Sequence, residues 1–383
     1  MEREGIQQLV FDMVAIPSVN PLDGSVGGVR GEAALAAYVE AKLQAVGIAV
    51  ARQEAAPGRP SLVARVPGDS PETLWFDAHL DTVTGEGMAS PFSPRLEDNT
   101  LVGRGSADDK GSLGALMAAL IRVARSGIRP PLTVLFTATA DEEHGMRGMR
   151  SLLASGLRAR GAVVAEPTGL EVVVAHKGVA RFTVATTGQA AHSSRPEAGV
   201  NAIYRMARVV EALEHYAKGG VGRETHPLLG KATLSVGVIR GGEYVNVIPD
   251  RCEIKVDRRL LPGEDGRRAV SDVRAYLTNA IEEDLGLDIS GPNLVVPGLN
   301  MSVDHPWVRA IGAGVKQVTG HLSLVGSVAT THAGFLAEAA IPAVVCGPGS
   351  MGQAHTATEE LDLDQLYQAV VLYESLMQSG ATA

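Results

Sequence analysis

The chain has 383 residues, 45% of them hydrophobic and 20% charged, the composition of an ordinary globular protein with room for two domains. Its 34 Lys plus Arg against 43 Asp plus Glu leave a formal charge of −9, which speaks against nucleic acid, whose binding draws on clustered cations. Two cysteines are too few for a disulfide framework, Met1-Glu2-Arg3-Glu4-Gly5 does not read as a signal peptide, and no run reaches the ~18 apolar residues of a membrane span, so a cytoplasmic protein with reduced thiols is expected.

Residues 31–46 set Leu35, Val39, Leu43 and Val46 on one stripe, with Gly47 where a C-cap belongs, which predicts an amphipathic helix. Short apolar runs at Ser61 to Val66, Leu74 to Ala78, Leu132 to Ala138 and Ala162 to Ala165 read as strands, alternating with helical stretches at 111–125 and 147–155. This is the rhythm of a layered α/β sheet. From about Gly178 the texture changes. Val179 to Thr187 reads as a strand, Asn201 to Tyr216 as a helix, Ala232 to Ile239 and Arg251 to Arg259 as strands, 265–283 as a helix and 287–296 as a strand. The order β-α-β-β-α-β is that of a ferredoxin-like sandwich. After about Gly298 the first texture returns, with helices at 306–318 and Leu363 to Met377 and a strand at Ala343 to Cys346. One domain of residues 1–177 and 298–383, with 178–297 inserted into it, is the predicted organisation. Aromatics are only 4% of the chain, so its core must be built mainly from Ala, Val, Leu and Ile, with Gly-rich loops between elements. Cys252 and Cys346 are expected as free thiols, a lone disulfide between them being the alternative.

Several polar groups stand at the ends of the predicted strands. In Asp77-Ala78-His79-Leu80-Asp81, residues two apart in an extended chain point the same way, so Asp81 can accept from one nitrogen of His79 while the other holds a metal. A structural surface pair is the plainer reading. Gly105-Ser106-Ala107-Asp108-Asp109-Lys110-Gly111 puts two carboxylates before an apolar helix, where a simple N-cap competes with a metal site. Asp141-Glu142-Glu143-His144 and Glu166 each follow a strand, as ligand groups do at the carboxyl edge of an α/β sheet, although a charge run is commonly just a solvated loop. His355 lies in the Gly-rich stretch after Cys346. Two histidines and several carboxylates within one predicted domain suit a divalent ion such as Zn²⁺.

In this order His79-Leu80-Asp81, Gly105 to Gly111, Asp141-Glu142-Glu143, Glu166-Pro167-Thr168 and Gly188-Gln189-Ala190-Ala191-His192-Ser193-Ser194 resemble the M20 metallopeptidase and aminoacylase family across essentially the whole chain. The resemblance implies a mixed-sheet catalytic domain of the zinc-aminopeptidase type carrying an inserted ferredoxin-like α+β lid and dimerisation domain. It implies two Zn²⁺, with Co²⁺ or Mn²⁺ as substitutes, held by His79, His355, Glu143 and Glu166 and bridged by Asp109. Asp81 would orient His79, and Glu142 would be the general base. His192 would stabilise an oxyanion, in many members that of the neighbouring subunit. Asn246 and Arg259 would bind a substrate carboxylate, a task suited to a bidentate guanidinium. Strand alternation places the adjacent Arg258 on the opposite face from Arg259.

One segment departs from the family. Thr330-Thr331-His332-Ala333 carries His332 where a Gly-Thr-Ser-Asp-like string has Asp, which leaves the acyl and side-chain preference open and offers His332 either as a substrate contact or as a structural loop histidine. The expected reaction is hydrolysis of an N-acyl amino acid, of the acetylornithine deacetylase and succinyl-diaminopimelate desuccinylase type. A metallo-dipeptidase or carboxypeptidase of the same family is the alternative. A non-catalytic binding protein on this fold would be expected to have lost a ligand or the base, and structural Ca²⁺ or Mg²⁺ sites are disfavoured by paired histidines. The expected partners are a small N-acyl amino acid or short peptide and a second copy through the lid, with no nucleic acid and no membrane.

Overall fold

The computed structural model describes residues 1–21, 31–219, 221–222, 224–281 and 283–381. Their contacts divide into two compact units, one of Met1–Val174, Asn300–Gly326 and Thr331–Ala383, the other of Ala175–Leu299 and Ser327–Thr330. Among the described residues no helix is long and apolar enough to cross a membrane.

The first unit is built on a mixed sheet in the order Val50–Ala56, Arg59–Val66, Leu132–Thr139, Ser70–His79, Gly161–Val164, Ala343–Val345 and Val172–His176. Ser70–His79 runs parallel to both Leu132–Thr139 and Gly161–Val164, and Ala343–Val345 parallel to Gly161–Val164. Gly161–Val164 and Ala343–Val345 are wholly buried apolar runs, and Leu132–Thr139 is buried except at Thr133, as strands covered on both faces are. The helix Lys110–Arg125 buries thirteen of its residues and packs against Arg3–Val14 and Leu363–Ser379. Each of its buried Leu and Ile side chains contributes about 1.5–3 kcal/mol over exposure. Gly114 lets the crossing close, because a Cβ there would stand 2.4 Å from Val10 Cγ2. The helix Arg3–Val14 and the strands Val50–Ala56 and Val172–His176 are additions to the predicted elements. The spacing of Ile6, Leu9, Val10 and Met13 does carry the signal for the first of these.

The second unit is a four-stranded antiparallel sheet, ordered Thr233–Gly241, Arg251–Leu260, Gly178–Thr187, Leu287–Val296, with helices Ala202–Lys218 and Gly266–Ala280 packed against it. The side chain of Asn201 starts the first helix by accepting from the N–H groups of Ile203 and Tyr204, and Asp265 does the same for the second. The second helix stops at Ala280, short of the predicted 283; residue 282 lies outside the described residues. Cys252 and Cys346 are both free and buried, in separate cores, so the disulfide alternative is not realised.

Candidate metal centre

The register of the parallel strands assembles a group of polar side chains in the first unit. His79 ends its strand abreast of Thr139, so the loop Asp141 to Glu143 emerges beside it. Val164 is abreast of Asp77, which brings Glu166, two residues on, level with His79. All three segments leave the carboxyl ends of neighbouring strands, where α/β sheets place their ligands. Asp108 comes from the turn leading into Lys110–Arg125.

Among the described residues two groups of donor atoms, each within 4.8 Å of one another, result: His79, Asp108 and Glu166, and Asp108, Glu143 and His355. Asp108 is common to both. Its Oδ1 lies 2.8 Å from His79 Nε2 and its Oδ2 3.4 Å from His355 Nε2, while Glu143 Oε2 lies 3.0 Å from His355 Nε2. The sequence reading placed Asp109 in both halves, but among the described residues the carboxylate common to both groups is Asp108. Asp109 has turned its Oδ2 to the backbone N–H of His79 at 3.0 Å, and it makes no side-chain cap of the helix it precedes.

The expected role of Asp81 also changes. The strand ends at His79, so the two side chains do not share an extended run. His79 Nδ1 instead meets the backbone carbonyl oxygen of Asp81 at 2.8 Å. The Asp81 carboxylate, 3.8 Å from that nitrogen, accepts from the N–H groups of Glu142 and Glu143, both at 3.0 Å, and from Asn20 Nδ2 at 2.7 Å. It thus fixes the backbone that carries the Glu142–Glu143 pair. Asp141 belongs to the scaffold: burial opposes its charge, but hydrogen bonds from Arg147 and Asn20 and the charge of Arg59 hold its pKa down at about 2.

The donor set suits divalent cations. Burial pushes Glu142 and Glu166 well above the ordinary carboxylate range, and neighbouring carboxylates add to it. Burial works against a charged His79, yet the carboxylates of Asp108, Asp109 and Glu166 raise it well above the usual imidazole value. Hydrogen bonds to Asp108 and Glu143 push His355 up to about 10. So many buried carboxylates around two imidazoles call for positive charge, and mixed N/O ligation is what Zn²⁺, Co²⁺ or Mn²⁺ accepts.

His332, with 1% exposure, is held by Asp77, whose Oδ2 is 2.7 Å from its Nδ1 and whose Oδ1 accepts from the hydroxyls of Thr137 and Thr139. Its burial and its bond to Asp77 fit the structural alternative for that histidine.

In the second unit, the two-residue strands Ala191–His192 and Val247–Ile248 pair, and Ser193 N–H donates to Asn246 O at 3.0 Å, so His192 and Asn246 share one ribbon, both exposed. Arg258 is buried and paired with Glu264 at 2.8 Å. Arg259 remains about a third exposed, with its Nε on Asp257 at 2.7 Å and its Nη1 on Thr330 Oγ1 at 3.1 Å.

The model of peptidase family M20/M25/M40 matches residues 75–379. An acetylornithine deacetylase of Photorhabdus laumondii subsp. laumondii is 32% identical over 375 residues, covering 93% of this chain and 92% of that protein. Among solved structures, an M20 family metallo-carboxypeptidase from Sulfolobus solfataricus superposes with a TM-score of 0.81 at 19% identity over 100% of both chains. A dinuclear metal-binding peptidase of the M20 family from Bacillus subtilis gives 0.68 at 14% identity, over 98% of this chain and 99% of that one.

Proposed function

The chain belongs to peptidase family M20/M25/M40 and is a metal-dependent hydrolase of amide bonds, and from that footing we propose a two-zinc enzyme that deacylates an N-acyl amino acid bearing a free carboxylate. The observation that carries this reading is the convergence of His79, Asp108, Glu143, Glu166 and His355, with Glu142 next to a ligand yet outside both donor groups. Two ions bound there would lower the pKa of a shared water and polarise the scissile carbonyl. Glu142 would take a proton from the attacking water and deliver it to the leaving nitrogen. Glu143 cannot do so while it is a ligand. His192 for the developing oxyanion, and Asn246 and Arg259 for the substrate carboxylate, are the substrate-binding groups proposed for the second unit. The relatives named acetylornithine deacetylase, 31–32% identical over more than nine-tenths of the chain, support an acyl amino acid over a peptide.

The test is a zinc-reconstituted screen of N-acetyl and N-succinyl amino acids beside dipeptides. Release of acyl groups alone is the expected result; cleavage of dipeptides alone would move the protein to the peptidase branch. In the same assay Arg259→Ala should raise KM for carboxylate substrates by about 10-fold or more and leave the corresponding amides nearly unchanged. Equal loss on both would remove Arg259 from the carboxylate site.

The proposed assembly is a dimer through the second unit. Thr233–Gly241 lies at one edge of its sheet, with Val238 and Ile239 exposed and Ile203 of the adjacent helix near Gly241. An unpaired, apolar edge can join a second copy across a two-fold axis. Sedimentation should show a dimer that Ile239→Asp converts to monomer, and a wild-type monomer at micromolar concentration would exclude it. Two buried free thiols support a cytoplasmic location.

A further inference from the structure

The turn that presents Asp108 is held from the far end of the sequence. Gly105 N, Ala107 N and Asp108 N all point at one carboxylate, that of Glu359, each at 3.0 Å, and Arg104 Nη1 donates to it as well. Glu359 is fully buried and Arg104 is 1% exposed. The same guanidinium reaches two further loops, with Nε 3.0 Å from Thr84 O and Nη2 3.0 Å from Thr356 O. Thr356 follows His355 directly, and Thr84 lies one residue beyond Val83, whose N–H donates to Glu143 Oε1 at 3.1 Å. The pair is brought together by a small sheet in which Glu360–Asp362 lies antiparallel to Thr100–Val102, Glu360 opposite Val102, and Gly103 N–H donates to Glu359 O at 3.2 Å.

A carboxylate accepting several backbone N–H groups fixes their directions more firmly than a neutral acceptor, because charge-assisted bonds are short and strong. Leaving any of those buried donors unpaired is costly. The backbone of Asp108 therefore has little freedom, and its side chain starts from a fixed point between the two histidines.

We propose that Glu359 and Arg104 are positioning residues for the metal centre: they lock the turn of Asp108 and the loop of His355 in the spacing that two ions share. This rests on the two-ion reading above. Neither residue belongs to either donor group, so both act through the backbone that carries Asp108 and His355.

The test is titration of metal-free protein with Co²⁺, read by visible absorbance, for wild type, Glu359→Gln and Arg104→Lys. In Glu359→Gln the amide NH₂ must face backbone donors that the carboxylate accepted. Arg104→Lys keeps the charge but surrenders the fork to Thr84 and Thr356. Each is expected to weaken Co²⁺ binding by about 10- to 100-fold and to alter the Co²⁺ bands. Thermal unfolding of the metal-free proteins separates this from general destabilisation: a lower Tm with wild-type Co²⁺ affinity and bands would overturn the positioning role. Should Glu359→Gln fail to fold, Arg104→Lys decides by the same two readouts. A wild type that binds no pair of Co²⁺ ions would sink the two-ion function itself, a result distinct from variants that match a two-ion wild type.

Discussion

Glu142→Ala is expected to take up two metal ions like the wild type and to lose roughly 10²–10⁴-fold in turnover, the contribution of a well-placed general base. That corresponds to about 3–5 kcal/mol of transition-state stabilisation. The separation of binding from chemistry is the informative part. Glu142 lies outside both donor groups, and its backbone N–H is held by Asp81, so truncating its side chain leaves the carrier of Glu143 in place. Metal analysis of the dialysed variant together with its steady-state kinetics checks both halves. Near wild-type turnover would assign the base elsewhere, and loss of metal would make Glu142 a ligand.

Asp108→Ala should bind neither ion tightly, whereas His355→Ala should lose one and keep the other. The difference follows from Asp108 being the residue that enters both donor groups, while His355 enters only one. Asp109→Ala provides the contrast, since Asp109 directs its Oδ2 at the backbone N–H of His79. The fold should tolerate Asp108→Ala, because the backbone clamp on this turn uses the N–H of Asp108 and not its side chain. Calorimetric titration with Zn²⁺ reads the stoichiometry directly. If Asp108→Ala retained two ions and Asp109→Ala lost both, the assignment of the shared carboxylate would be reversed.

How much of this was legible before the structure varies with the range of the interaction that decides it. The strand Ser70–His79 and the helix Lys110–Arg125 write their periodicity into contiguous residues, and both stand close to their expected positions. The candidate ligand types stood in the sequence just after strand-like runs, but each segment singly also fitted a cap, a surface pair or a solvated loop, and only their order along the chain singled them out. Asp108 and Asp109 mark the boundary. They are neighbours of identical chemistry, and nothing local distinguishes the one facing two histidines from the one facing a backbone N–H.

By itself the sequence determined the α/β and α+β textures, the ordered motifs that place the chain in its family, and the inventory of groups able to hold a metal. Only the tertiary structure decided where each carboxylate points. Asp81 turned from His79 to the backbone of Glu142 and Glu143, His332 found Asp77 across 255 residues, and Glu359 closed on Arg104 over the same span. Local pattern reports which face of an element is buried, because burial repeats with the element's own period. A side chain's hydrogen-bond partner is chosen by whichever donors the folded chain brings within about 3 Å, and those come from distant segments whose approach no local period records.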